Sequence, residues 1–84
     1  MNGKQWKLYI LKCADGSLYT GITVDVQERF RRHCEGTGAK YTCGRGPLEL
    51  VYTEECGNHS EALRRELQIK AMSRVQKLDL IQKK

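Results

Sequence analysis

Residues 6 to 23 read WKLYILKCADGSLYTGIT, and this stretch decides the fold. Aromatic, aliphatic and β-branched residues crowd its two halves, which predicts one strand over 6–13 and a second over 17–23. Between them, Ala14-Asp15-Gly16 has the chemistry of a type I turn closed by a glycine in the left-handed region, a three-residue hairpin loop. Such a loop pairs Cys13 with Ser17, Leu11 with Tyr19 and Tyr9 with Gly21. Side chains alternate along a strand, so Tyr9, Leu11, Tyr19 and Gly21 then share one sheet face. A two-residue Asp-Gly loop would instead send the two tyrosines to opposite faces. Strand tyrosines are commonly core aromatics. Gly21 opposite Tyr9 also leaves an open spot where a ligand could approach the backbone.

Outward from the hairpin, Asp25 is a predicted helix N-cap, with Glu28 completing a capping box. The helix runs to about Cys34, and Gly36 suits its stop. Val26, Phe30 and Cys34 form an apolar stripe at four-residue spacing, with Arg29 and His33 along its edge. Residues 36–47, GTGAKYTCGRGP, form a glycine-rich loop carrying Lys40, Tyr41 and Arg45. The alternation of LELVYTEE predicts a third strand over 48–55. Ser60 is the expected cap of a second helix reaching Ala71. Ser73, with Gln76 three residues on, caps a last helix containing Val75, Leu78 and Ile81. The order is β-β-α-β-α-α, an α+β sandwich of a three-stranded antiparallel sheet with flanking helices.

At 84 residues the chain suits one small domain, taken as residues 1–84. A domain of this size hides only about 60% of its unfolded surface, too little for a Rossmann domain, a TIM barrel or a kinase. No apolar run approaches the roughly 18–20 residues that span a bilayer. The first residues lack the pattern of a signal peptide, so the expected location is the cytoplasm, with no membrane partner. Fifteen Lys and Arg against ten Asp and Glu leave a net charge of +5, which favours a polyanion such as nucleic acid. Cys13, Cys34, Cys43 and Cys56 contain no Cys-x-x-Cys pair, and buried free thiols are the preferred reading over a zinc site or disulfides.

Three groups of residues bear chemistry. On the second helix Ala62, Leu63, Leu67 and Ile69 define the expected buried face, and Glu66 falls inside that arc. A carboxylate on an apolar stripe requires a cationic partner or a metal. Arg29 and His33 suit phosphate recognition and proton shuttling, or belong to a solvated basic face with Arg31 and Arg32. Lys40 and Arg45 could line a phosphate backbone, or sit in a merely flexible loop.

Together these positions resemble the GIY-YIG nuclease family. Lys7-Leu8-Tyr9 stands where that family has its GIY strand, and Tyr19-Thr20-Gly21 where it has YIG. Arg29 follows Tyr19 by ten residues and His33 follows by four more, matching the family's helix motif. The segment EALRRELQIK, residues 61–70, is similar to the one that carries the family's metal-binding glutamate. The resemblance covers residues 6–81 and is strongest to the stand-alone bacterial proteins of the UPF0213 branch. It implies a GIY-YIG-like sandwich, with Glu66 as ligand of one divalent cation, Mg²⁺ or Mn²⁺. It further implies Tyr9 or Tyr19 near the attacking water, Arg29 on the scissile phosphate and His33 as a supporting contact. Lys40, Tyr41 and Arg45 would touch nucleic acid. A tyrosine hydroxyl is a poor base at its free pKa of about 10 and would need a nearby cation.

There are departures from the pattern. The first triplet keeps only its tyrosine, Thr20 replaces the isoleucine of the second, and no asparagine follows Glu66. The expected function is a metal-dependent endonuclease or phosphodiesterase hydrolysing DNA, with branched, damaged or single-stranded forms as targets and a place in DNA repair. One alternative is a nucleic-acid-binding module of the same fold with little or no catalysis. Another is a partner-binding protein whose basic charge is incidental. Binding by the first two weakens with salt, and only the first needs Glu66 and a divalent cation.

Overall fold

The computed structural model describes residues 5–37, 44 and 46–83. Its strands are β1 (Trp6–Lys12), β2 (Leu18–Thr23) and β3 (Glu49–Gly57), and its helices α1 (Val26–Cys34), α2 (His59–Lys70) and α3 (Arg74–Lys83). The sheet order is β2-β1-β3, and both pairings are antiparallel.

The hairpin has the expected three-residue turn. Gly16 takes a φ of +87°, its N–H donates to the Cys13 carbonyl at 2.9 Å, and the Cys13 N–H donates to the Ser17 carbonyl at 2.9 Å. Asp15 Oδ1 accepts from the Ser17 N–H at 3.0 Å and from its hydroxyl at 2.6 Å, locking the loop. Leu11 therefore pairs with Tyr19 and Tyr9 with Gly21, which puts the two tyrosines on one face. Two cores follow from the alternation. On one side of the sheet Tyr9 and Leu11 pack with Val26 and Phe30 of α1, Tyr19, Leu48 and Leu50. On the other, Leu8 and Ile10 pack with Tyr52, Ile69 of α2 and Leu80 and Ile81 of α3. The sheet is thus sandwiched between α1 and the pair α2–α3.

A register shift where Ile10 pairs with Tyr52 but Leu11 with Leu50 marks a bulge at Val51. Leu50 faces α1, whereas the bulge turns Tyr52 toward α2. Simple alternation along LELVYTEE would have left both on one face. The strand also runs on to Gly57, whose φ of +84° ends it.

The helix starts differ in part from expectation. Asp25 caps α1, its Oδ1 accepting from the Glu28 N–H at 3.1 Å. The Glu28 carboxylate does not complete a capping box: it bonds Arg31 at 2.7 Å and Arg32 at 3.1 Å, neighbours one turn on. Gly36, at φ +82°, ends the helix as expected. Cys34 is exposed and His33 buried, so the inward stripe is Val26, Phe30 and His33. Asn58, not Ser60, caps α2. Its side chain accepts from the Glu61 N–H and the Glu61 carboxylate accepts from the Asn58 N–H, both at 2.9 Å, a complete capping box two residues earlier. Ser73 and Gln76 cap α3 in the same reciprocal way, at 3.2 and 2.9 Å.

The inward stripe of α2 is the main correction. Ala62 and Ile69 are fully buried, but Leu63 is 41% and Leu67 69% exposed. Arg65 and Glu66 take the inward positions instead, on the i, i+3, i+4, i+7 row with Ala62 and Ile69. The helix is rolled so that Arg65 reaches β3, where its Nε donates to Glu54 at 2.6 Å and its Nη2 at 3.1 Å.

Candidate active site

The face toward α1 gathers Tyr9, Tyr19, Arg29 and His33. Tyr9 sits in the central strand, 1% exposed, and its hydroxyl is 2.8 Å from His33 Nε2. His33 is itself only 2% exposed, because it lies on the inward row of α1. A polar pair held away from water is strong when satisfied and costly when broken. The Tyr19 ring completes an aromatic cluster: its centroid is 6.3 Å from that of Tyr9 and 5.3 Å from His33, edge-on to the imidazole.

Gly21 explains how Tyr9 fits. A Cβ at Gly21 would stand 2.5 Å from the Tyr9 hydroxyl oxygen and 2.6 Å from Cζ, so the phenol lies across the bare backbone of β2. The open spot expected above Gly21 is therefore occupied by Tyr9 itself, and the missing side chain serves packing in place of ligand approach.

Burial separates the two tyrosines. Burial pushes the Tyr9 hydroxyl up to about 12, against the opposing pull of the hydrogen-bonding Arg29 guanidinium beside it. Tyr9 is thus a neutral phenol, suited to donating or relaying a hydrogen bond and unsuited to taking a proton. Burial first, and the Arg29 charge second, hold the His33 imidazole below its ordinary range, so the ring is neutral at pH 7. Tyr19, half-buried, is the tyrosine with partial access to solvent. Arg29, also half-buried, lines a hollow of about 250 Å³ with Thr23, Val24, Asp25, Glu28 and Arg32. Arg31 and Arg32 are engaged by Glu28 and Glu35, which takes them out of a free basic face.

Glu66 belongs to the other layer. It lies on the inward row of α2, with 18% of its side chain exposed, and its carboxylate is 3.3 Å from Lys70 Nζ one turn on. The structure therefore brings Tyr9, Tyr19, Arg29 and His33 together, and holds Glu66 on a helix that packs across all three strands from the opposite side. Lys40, Tyr41 and Arg45 lie outside the described residues, as does Cys43. Of the other thiols Cys13 is buried, Cys56 half-buried and Cys34 exposed, all free.

Sequence reading passed over the network beneath Glu66. The Tyr52 hydroxyl donates to Glu54 Oε1 at 2.5 Å, and Arg65 forks onto both oxygens of the same carboxylate. Burial raises the Glu54 carboxyl, but the bonds from Arg65 and Tyr52 outweigh it and hold the group below the usual carboxylate range. The signal was Arg65 lying three residues from Ala62 and four from Ile69, on the inward row beside Glu66.

The match to the GIY-YIG catalytic domain spans residues 5–79. A UPF0213 protein of Staphylococcus saprophyticus is 54% identical over 74 residues, covering 88% of this chain and 90% of its own. A UPF0213 protein of Clostridium perfringens is 54% identical over 77 residues, covering 92% and 83%. Among solved structures, the UPF0213 protein of Bacillus halodurans superposes with a TM-score of 0.62 at 48% identity, covering 95% of this chain and 85% of that one. A protein of E. faecalis gives 0.63 at 36% identity, covering 94% and 85%. The paired strand tyrosines, the Arg29–His33 helix and the Glu66 helix thus fall inside one continuous match, and the chain belongs to the GIY-YIG family, in its UPF0213 branch.

Proposed function

We propose that this protein is a divalent-metal-dependent endonuclease that hydrolyses DNA phosphodiester bonds in branched, damaged or single-stranded substrates. The family is one of nucleases and acts on nucleic acid; DNA, the substrate form and the metal are this reading's own. The observation that carries it is the buried Tyr9–His33 hydrogen bond with Tyr19 and Arg29 around it. Two neutral, fixed polar groups hold a second tyrosine and a guanidinium in one place, as hydrolysis at phosphorus requires.

In this reading Arg29 contacts the scissile phosphate and offsets the charge that grows on its non-bridging oxygens. Tyr9, buried and with its proton retained, positions Arg29. Tyr19, the more accessible phenol, orients the attacking water. His33 fixes the Tyr9 hydroxyl from below. Glu66 would hold the divalent cation. Among the described residues no three His, Cys, Asp or Glu side chains converge; a cation on the Glu66 carboxylate would be completed by water and substrate phosphate, as Mg²⁺ and Mn²⁺ sites are. Among the described residues the half-buried Glu66 pairs with a lysine one turn away, which a cation would replace. When bound, the cation supplies charge neutralisation at the leaving oxygen. Lys40, Tyr41 and Arg45 are proposed to follow the nucleic-acid backbone.

The test is cleavage of labelled branched, nicked and single-stranded DNA with Mn²⁺ or Mg²⁺, beside chelator and Glu66→Ala controls. Metal-dependent cutting that disappears in the variant is the expected result. Salt-sensitive binding without cutting on any substrate would replace this reading with the binding module. That second reading draws on one observation, the placement of Glu66 on the layer opposite the tyrosines.

A further inference from the structure

We propose that Glu54 and Arg65 are positioning residues that set the roll of α2 and thereby aim the Glu66 carboxylate. The inference rests on the reading of Glu66 as a metal ligand. Apolar packing alone leaves α2 weakly oriented, since Ala62 and Ile69 are its only two fully buried side chains and Leu63 and Leu67 face outward. A helix held by two apolar contacts seven residues apart is fixed along that line and loosely about it. The rotation is fixed by a polar clamp. Arg65 donates to Glu54 through Nε at 2.6 Å and Nη2 at 3.1 Å, a planar two-point contact that allows one orientation of the guanidinium.

The clamp is anchored at both ends. Glu54 sits on β3 and accepts a further bond from Tyr52, whose ring is 8% exposed in the core between sheet and α2. Arg65 Nη1 donates to Gln68 at 3.1 Å, tying the guanidinium to its own helix. A continuous chain of contacts therefore runs from the sheet core through Tyr52 and Glu54 to Arg65, the residue adjoining Glu66. Arg65 and Glu66 are about 100° apart around the helix axis, so any roll that moves one moves the other. The network is not needed to satisfy Glu66 itself, which pairs with Lys70. Its effect on the carboxylate is through the backbone.

The experiment measures Mn²⁺ binding to the full chain by quenching of the free-ion EPR signal, with thermal unfolding of each variant alongside. Parent, Glu66→Gln, Glu54→Gln, Arg65→Lys, Tyr52→Phe and Ile69→Val are compared. Glu66→Gln is expected to abolish binding. Glu54→Gln and Arg65→Lys are expected to weaken it by about tenfold or more, as loss of outer supports does at metal sites, and Tyr52→Phe by less. Ile69→Val loosens the same helix without touching the clamp and is expected to keep the parent's affinity. Should Glu54→Gln not fold, Arg65→Lys and Tyr52→Phe, which keep charge and ring, give the same answer. Clamp variants that bind like the parent while Glu66→Gln does not overturn the clamp's role alone. An equal loss in Ile69→Val also overturns it, by making general stability the cause. Binding that survives Glu66→Gln, or is absent from the parent, overturns the metal-ligand reading and the clamp's role with it.

Discussion

Tyr9 and Gly21 form one packing unit: the phenol of β1 lies where a side chain on β2 would be, its hydroxyl oxygen 2.5 Å from the position of a Gly21 Cβ. The ring is central and buried, and its hydroxyl is tied to His33. Neither partner can yield without breaking that bond.

Gly21→Ala is therefore expected to be destructive although it adds one methyl group. Overpacking of this kind costs typically about 1–3 kcal/mol, and displacement of the phenol also strains the hydrogen bond to His33. Urea unfolding gives the loss, and the His33 ring resonances in NMR report whether the Tyr9 contact survives. An alanine variant as stable as the parent, with unshifted His33 signals, would show that the strands separate without cost.

The two tyrosines should separate in their effects. Tyr9→Phe removes a buried hydrogen bond to the imidazole and is expected to cost about 1–3 kcal/mol of stability. Tyr19→Phe, at a half-buried site, is expected to lower stability less and cleavage far more, by about 10²–10⁴-fold if it handles the water's proton. Unfolding curves and single-turnover cleavage on the same preparations distinguish the roles. Equal kinetic losses would place both phenols at the reacting group.

Much of this site was legible in the chain. Ala14-Asp15-Gly16 read as a three-residue loop with a left-handed Gly16, in preference to a two-residue Asp-Gly loop, gives the observed register, and the shared face of Tyr9 and Tyr19 follows from it. What the sequence did not disclose was non-local. Whether Leu63 and Leu67 are buried depends on how α2 rolls, and that roll depends on Arg65 finding Glu54, eleven residues away across a strand end. Periodicity counts apolar positions on one helix and has no access to an ion pair on the neighbouring strand. The Val51 bulge depends similarly on pairing with β1: LELVYTEE alternates over most of its length, and the apolar run Leu50-Val51-Tyr52 does not itself say which face each side chain takes. The Asn58 cap was visible as Asn-x-x-Glu and lost out to the nearby Ser60.

Thr20 marks a local departure with a measurable consequence. It is 3% exposed on the α2 side of the sheet, opposite Ile10, and its hydroxyl has no hydrogen-bond partner among the described residues. Leaving such a group buried costs about 1–3 kcal/mol, and replacing it with an apolar group of the same shape is neutral or stabilising. Thr20→Val is expected to stabilise the protein by about 1 kcal/mol, read from the urea midpoint at unchanged slope. A loss of stability would reveal a partner for the hydroxyl.

The buried imidazole makes stability depend on pH. His33 is held below its ordinary value by burial and by Arg29, and it faces, among the described residues, Tyr9 on β1, Tyr19 on β2 and Arg29 on α1. The unfolded chain takes up this proton near pH 6.5, whereas the folded protein resists it to lower pH. The unfolded state thus binds more protons in that interval, and linkage requires stability to fall as pH drops. The His33 contribution is fully present above about pH 6.5 and is lost as pH falls through the lowered folded value, with a slope of at most about 1.4 kcal/mol per pH unit. Glu54 contributes in the same direction, but only in the carboxylate range at lower pH, because its folded value is also lowered. Urea unfolding at intervals from pH 8 to pH 5 is expected to show the decline in the parent and a flatter line in His33→Gln. Equal slopes in the two proteins would mean that the imidazole is protonated inside the fold, and Tyr9 would then face a cation in place of a neutral ring.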